Sequence, residues 1–164
     1  MPSGLKRIHL DETESTNDIC LNEINNSDKP ILVTADMQTK GRGRNEKEWN
    51  SPKGNLYFSF GFTRQNLING LSVKVGLIIA ESLQQILKKN VLLKWPNDLF
   101  YLDKKVGGIL VETSSINNIF KIVIGIGVNL SLIHISEPTR HLRISYAVFC
   151  LKKKIDNRRY RLRR

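Results

Sequence analysis

Residues 55–63 read Asn-Leu-Tyr-Phe-Ser-Phe-Gly-Phe-Thr. Leu56, Phe58, Phe60 and Phe62 alternate with Tyr57, Ser59, Gly61 and Thr63. A strict period of two puts every second side chain on one face of an extended chain, which is a β-strand and cannot be a helix. The spacing then lengthens. Leu67, Leu71, Val75, Ile78, Ile79, Ser82, Leu83 and Ile86 recur at three and four residues, which predicts one helix of several turns ending near Lys89. A strand long enough to cross a core, followed at once by a helix that needs a sheet to lie on, restricts the chain to a layered fold.

The same alternation extends to both sides. Residues 6–10, 31–37, 91–95, 105–112 and 121–130 read as strands, and the cap candidates Ser15, Thr16, Asn17 and Asp18 introduce a short helix through Ile19, Leu21 and Ile24. Residues 25–30 form a loop by composition, and residues 96–104 are expected to be a turn-rich connection. Residues 38–54 are polar, rich in Gly, Lys and Arg, and longer than most connections in a compact domain, which points to function or mobility. The expected fold class is α+β, a mixed β-sheet with helices packed on it.

Charge is unevenly spread. The 164 residues carry a net charge of +11, which on its own points to nucleic acid. Residues 131–164 hold ten Lys/Arg against two Asp/Glu, a net of +8, whereas residues 1–130 hold sixteen against thirteen, a net of +3. The strand–helix part is therefore nearly balanced, and a small basic nucleic-acid-binding protein is the weaker class. A membrane span needs about 20 consecutive apolar residues. The apolar stretch at 122–133 is shorter and interrupted by Gly, Asn and Ser, so no membrane association is expected. No apolar core of a secretory signal follows Met1, and the two cysteines, Cys20 and Cys150, make neither a disulfide framework nor a C-x-x-C pair. A reducing cytoplasm is the expected compartment.

Four segments have the residue types of a site. Gln38-Thr39-Lys40-Gly41-Arg42-Gly43-Arg44 joins two glycines to two arginines. The glycines let backbone N–H groups approach a ligand, and the arginines add forked donors suited to carboxylate or phosphate. The segment is not a dinucleotide fingerprint, because Glu46 stands where G-x-G-x-x-G needs its third glycine, and no P-loop occurs. Taken alone it also fits a basic surface loop. Lys94-Trp95-Pro96-Asn97-Asp98 places polar side chains at a strand exit, or forms a plain turn. Lys105-Val106-Gly107-Gly108, continuing to Glu112, opens a strand with a cation and two glycines, which mark close approach or a bulge. Gly125-Ile126-Gly127-Val128-Asn129 again leaves room over a strand, for a ligand or a packed helix. H-E-x-x-H, cysteine clusters and G-x-S-x-G are absent, so zinc and nucleophilic triads have little support and no residue is assigned as a metal ligand.

The combination is more specific than its members. Ser15-Thr16-Asn17, the 38–44 loop, Trp49-Asn50-Ser51-Pro52-Lys53-Gly54-Asn55-Leu56-Tyr57, 94–98, 105–112 and 125–129 occur in this order. Over residues 7–130 the chain resembles the N-terminal part of the catalytic domain of bacterial biotin protein ligases. Lipoate ligases share the fold but not the Gly-Arg-Gly-Arg loop followed by Trp-Asn-Ser-Pro.

The resemblance implies the biotin/lipoate protein ligase type of fold and an enzyme that activates biotin with ATP and Mg²⁺ to biotinyl-5′-AMP. It then transfers biotin to a lysine of the biotin carboxyl carrier protein subunit of acetyl-CoA carboxylase. By the same resemblance, Ser15, Thr16, Asn17 and Gln38 contact biotin, and Gly41, Arg42, Gly43 and Arg44 form the loop that closes over biotin and adenylate. Lys105 sits by the biotin carboxylate and the reacting phosphate, with Gly108 beside it. Trp49 belongs to the segment around adenine, and Asn97, Asp98 and Asn129 lie on the nucleotide side, Asp98 near magnesium or the incoming lysine. Lys105, Arg42, Arg44 and Asp98 would carry the catalysis.

Two departures accompany the resemblance. Glu46 stands where the family loop often has a further glycine. Residues 131–140, with 144–154, resemble translated sequencing-adapter sequence rather than a continuation of the family, and residues 131–164 are expected to be a basic, poorly packed tail on a truncated domain that is weakly active or inactive. No helix-turn-helix segment precedes residue 7, so a repressor role is not expected.

Overall fold

The computed structural model describes residues 4–27 and 29–133. The expectations for 134–164 lie outside the described residues. The elements are β1 (Lys6–Thr13), α1 (Thr16–Asn25), β2 (Ile31–Gln38), β3 (Leu56–Arg64), α2 (Leu71–Leu87), β4 (Leu92–Lys94), β5 (Asp98–Tyr101), β6 (Lys104–Ile116) and β7 (Ile119–Val128), with 3-10 turns at Arg44–Glu46 and Leu130–Ile133.

The strands form one seven-stranded sheet in the order β1-β2-β3-β7-β6-β5-β4. β1 and β2 are parallel, joined by α1, because parallel neighbours need a crossover between them. The remaining neighbours are antiparallel. The sheet is therefore mixed, as expected.

β3 is buried along most of its length, and its alternation sorts two different faces. Phe58, Phe60 and Phe62 lie opposite Ile126, Ile124 and Ile122 of β7, and with Val75, Ile79 and Leu83 of α2 they make the larger core. Fully burying each such side chain contributes about 1.5–3 kcal/mol. The other face is thinner. Ile31 and Val33 of β2, Val123 of β7, and Cys20 and Ile24 of α1 form a small second core. On that face Ser59 lies opposite Gly125, and Tyr57 opposite Gly127. α1 covers only part of it, and the small residues leave the rest open as a cleft.

Several boundaries differ from the sequence reading. The connection at 96–104 contains β5, which pairs with β4 and β6 and buries Leu99 completely. Four residues are too few to display a period, and the turn after it uses Leu102 and Asp103 at φ 47° and 60° without a glycine. α2 starts at Leu71 rather than near Leu67, because Gly70 takes φ 66° and turns the chain, leaving Leu67 exposed. β6 and β7 run on through a hairpin at Asn117 and Asn118, both at positive φ, where the polar run 113–115 had concealed the strand. Beyond β7, Leu130 and Ile133 are buried in the larger core, so packed chain extends to Ile133.

Candidate functional site

A cleft of about 440 Å³ opens over the thin face. Its walls are the start of α1, the end of β2, the 42–49 loop, Asn97 and Asp98, the first half of β6, and Gly125 to Gly127 of β7.

One end is neutral and rigidly hydrogen-bonded. Gln38 Oε1 accepts from the Thr16 backbone N–H at 2.8 Å and from Thr16 Oγ1 at 3.0 Å. Its Nε2 donates to Ser51 Oγ at 3.0 Å, and Ser51 Oγ donates to the Trp49 carbonyl at 2.9 Å. Ser59 Oγ lies 2.8 Å from Thr16 Oγ1 and 2.5 Å from Asn17 Oδ1. Asn17 Nδ2 donates to Glu112 Oε2 at 2.5 Å. Ser15, Thr16, Asn17, Ser51 and Ser59 are all buried, so each polar group must find a partner, and the network fixes the orientation of each amide.

The other end is cationic. Lys105 Nζ pairs with Asp98 Oδ1 at 2.9 Å and lies 5.3 Å above the Trp49 ring. Trp49 fits against β7 only because residue 127 is glycine: a β-carbon there would fall 2.6 Å from the indole Nε1. Arg44 Nη1 donates to Asn97 Oδ1 at 3.3 Å. Asn97 is itself held by two bonds to Ile109, its Nδ2 donating to the Ile109 carbonyl at 3.1 Å and its carbonyl accepting from the Ile109 N–H at 2.9 Å.

Arg42 fastens the loop beside the neutral end. Its guanidinium holds Asp18 in a two-pronged pair at 2.6 and 2.8 Å, reaches Glu112 Oε1 at 3.1 Å, and donates to Ser15 Oγ at 3.3 Å. The Asp18 hydrogen bond raises the Arg42 pKa further above its ordinary value, burial opposes this, and Glu112 adds to it. Arg42 is charged, but two carboxylates already balance that charge. Its geometry secures the loop to α1 and β6. Ser15 occupies the N-cap of α1 without a side-chain cap bond; its hydroxyl oxygen accepts from Arg42 instead.

Ser15, Thr16, Asn17, Gln38, Arg42, Gly43, Arg44, Trp49, Asn97, Asp98, Lys105 and Gly108 all line the cleft. Gly41 and Asn129 do not. Gly41 is buried behind the loop, where a β-carbon would lie 2.5 Å from both Ser51 Oγ and the Trp49 carbonyl. Asn129 donates its backbone N–H to the Val106 carbonyl at 2.7 Å, and its Oδ1 is buried without a protein partner among the described residues. Asn45 and Glu46 both adopt left-handed backbone, at φ 55° and 56°, the conformation that glycine takes most easily. Glu46 is not part of the cleft lining, although Asn45, Lys47 and Glu48 are.

The sequence reading left Ser59, Glu112 and the ion-pairing role of Asp18 unassigned. Ser59 carried a signal: a hydroxyl in the middle of a strand that is otherwise apolar or glycine must be buried with a partner. Outside the cleft, His9, Asp11 and Asp36 bring ligand atoms within 4.8 Å of one another on β1 and β2.

The family model of the biotin/lipoate A/B protein ligases matches residues 10–129. The chain belongs to the biotin/lipoate A/B protein ligase family.

Among relatives in this family, the bifunctional ligase/repressor BirA of Salmonella typhimurium is 38% identical over 129 residues, covering 76% of this chain and 40% of that protein. BirA of Escherichia coli is 37% identical over the same share of each. The chain thus spans about two fifths of the length of these relatives. The fold of the Aquifex aeolicus biotin protein ligase, solved in complex with biotin and ATP, superposes with a TM-score of 0.76 at 31% identity, covering 92% of this chain and 70% of that one. The mixed sheet with α1 and α2 is therefore the ligase-family catalytic fold. No helix among the described residues is long and apolar enough to cross a membrane.

Proposed function

We propose that the cleft binds biotin at its neutral end and ATP at its cationic end, and that the protein serves ATP-dependent biotin ligation. The similar Aquifex protein was solved with both molecules, and the family covers most of this chain. The observation that carries the reading is the joining, in one cleft, of a locked neutral network at Thr16, Asn17, Gln38 and Ser59 to the cations Lys105 and Arg44.

The chemistry matches this division. An uncharged head group with donors and acceptors is read by amides and hydroxyls of fixed orientation. The carboxylate of biotin is ionised at neutral pH, so the first step needs no base to create a nucleophile. A carboxylate oxygen attacks the α-phosphorus of ATP, the bond to the bridging oxygen breaks, and pyrophosphate leaves with its electron pair. Two anions must be held in line, and Lys105 and Arg44 offset their repulsion and the charge that develops. A magnesium ion, when bound, neutralises part of the phosphate charge. Asp98, whose Oδ1 already holds Lys105, would offer its carboxylate to such an ion alongside the phosphates, or to the incoming lysine. In the second step the lysine, once deprotonated, attacks the acyl carbon of biotinyl-5′-AMP through its neutral amine, the C–O bond to AMP breaks, AMP leaves with the electron pair, and the spare amine proton passes to solvent. Trp49 stands on the nucleotide side, and Gly108 leaves space beside Lys105.

The acceptor in this reading is a lysine of the biotin carboxyl carrier protein subunit of acetyl-CoA carboxylase, in the cytoplasm. Isothermal titration of the chain with biotin and with lipoate tests the ligand. Saturable binding of biotin and none of lipoate is expected; binding of lipoate without biotin would replace this reading with a lipoate-type ligase.

A further inference from the structure

Glu112 stands where the neutral floor meets the glycine loop, yet it is not part of the cleft lining. Its carboxylate holds two different elements. Oε2 accepts from Asn17 Nδ2 at 2.5 Å, and both oxygens accept from Arg42 Nη2, Oε1 at 3.1 Å and Oε2 at 3.3 Å. These partners lie 95 and 70 residues away in the chain, on α1 and on the loop after β2.

The chemistry of the pair is directional. A carboxylate accepts and cannot donate, so it selects the NH₂ end of the Asn17 amide. Oδ1 is then turned to Ser59 Oγ, 2.5 Å away. A flipped amide would set Oδ1 against the carboxylate and the NH₂ group against Ser59. On the other side, Glu112 and Asp18 share the Arg42 guanidinium, so the loop is seated by the same carboxylate that orients the floor.

We propose that Glu112 is a positioning residue: it fixes the amide orientation of Asn17 and, through Arg42, the seat of the 41–49 loop. Its effect on biotin rests on the ligand reading above; its effect on the loop does not.

Glu112→Gln keeps the shape and removes the charge, and two measurements on the full chain decide the matter. The first needs no ligand. The Gly43 N–H donates to the Lys47 carbonyl at 2.7 Å and the Trp49 N–H to the Gly41 carbonyl at 2.8 Å. Hydrogen exchange at Gly43 and Trp49 is expected to quicken about tenfold in Glu112→Gln, with β7 amides unchanged. Unchanged loop exchange would overturn the seating role.

The second is a double-mutant cycle on biotin affinity. Glu112→Gln is expected to weaken binding about tenfold in the parent chain and hardly at all in an Asn17→Ala background. Equal loss in both backgrounds would overturn the orienting role. If Glu112→Gln does not fold, Glu112→Asp, which keeps the charge but withdraws it by one methylene, is carried through both measurements on the same criteria. A parent chain that binds no biotin would contradict the ligand reading, while hydrogen exchange still decides whether Glu112 seats the loop.

Discussion

Gly125 and Asn17 approach so closely that a β-carbon on residue 125 would lie 2.2 Å from Asn17 Oδ1. The glycine is what lets α1 lower its amide onto the sheet beside Ser59. Gly125→Ala must push Asn17 off Ser59 or lift the start of α1. Overpacking of this kind costs about 1–3 kcal/mol. The expected outcome is a lower denaturation midpoint, with biotin affinity reduced by more than the stability loss alone would give. Denaturant titration and calorimetry on the same preparation check this.

Gly127 performs the equivalent service for Trp49. In Gly127→Ala the indole must leave its seat on β7, and with it the ring beneath Lys105. The chain has two tryptophans, and Trp95 is 77% exposed, so Trp95→Phe isolates the signal of Trp49. In that background Gly127→Ala is expected to shift Trp49 emission to the red and to raise its quenching by acrylamide. An unchanged spectrum would mean that the indole does not depend on the glycine.

Arg42 and Arg44 are two residues apart and should respond differently. Arg42 is mostly buried between two carboxylates, and removing it leaves Asp18 and Glu112 facing each other without a cation. Arg42→Ala is expected to cost about 1–3 kcal/mol of stability. Arg44 is exposed and makes one long hydrogen bond to Asn97, so Arg44→Ala should change stability by less than about 0.5 kcal/mol. Its loss should instead weaken binding of a non-hydrolysable ATP analogue. Chemical denaturation and analogue titration of the two variants separate the roles.

The large face of the sheet was legible because Phe58, Phe60, Phe62 and the helical spacing of 71–83 are repeated hydrophobic signals. The neutral end of the cleft was legible only in part. Ser15, Thr16, Asn17 and Gln38 stand in short motifs, whereas Ser59 and Glu112 acquire their roles through partners 42 to 95 residues away. No local pattern encodes such pairings. The partners of Arg42 were hidden for the same reason: nothing in Gly-Arg-Gly-Arg places Asp18 and Glu112 around it. The left-handed turn at Asn45 and Glu46 was legible only in half, since asparagine tolerates that conformation and glutamate rarely adopts it. β5 and the 117–118 hairpin were concealed by shortness and by turns built without glycine.

Cys20 is buried against the sheet, and burial, aided by the negative charge of Glu23, pushes its thiol from 9.0 up to about 12. A raised folded-state pKa contributes stability that is intact below the unfolded value and is lost as pH rises toward the folded one. Between pH 9 and 12 the unfolded chain ionises this thiol and the folded chain does not. Over that window the parent is expected to lose about 1.4 kcal/mol per pH unit relative to Cys20→Ala. Parallel slopes for the two proteins would show that Cys20 does not ionise differently on unfolding.

The most direct measurement is a backbone amide map of the ¹⁵N-labelled chain titrated first with biotin and then with a non-hydrolysable ATP analogue. Biotin is expected to move the resonances of Thr16, Asn17, Ser59 and Gly125, and the analogue those of Arg44, Trp49, Asn97 and Lys105. Saturable shifts confined to these two sets would support one cleft divided between a neutral end for biotin and a cationic end for nucleotide. No shifts with biotin, or shifts that fall away from α1 and the centre of β3 and β7, would contradict it.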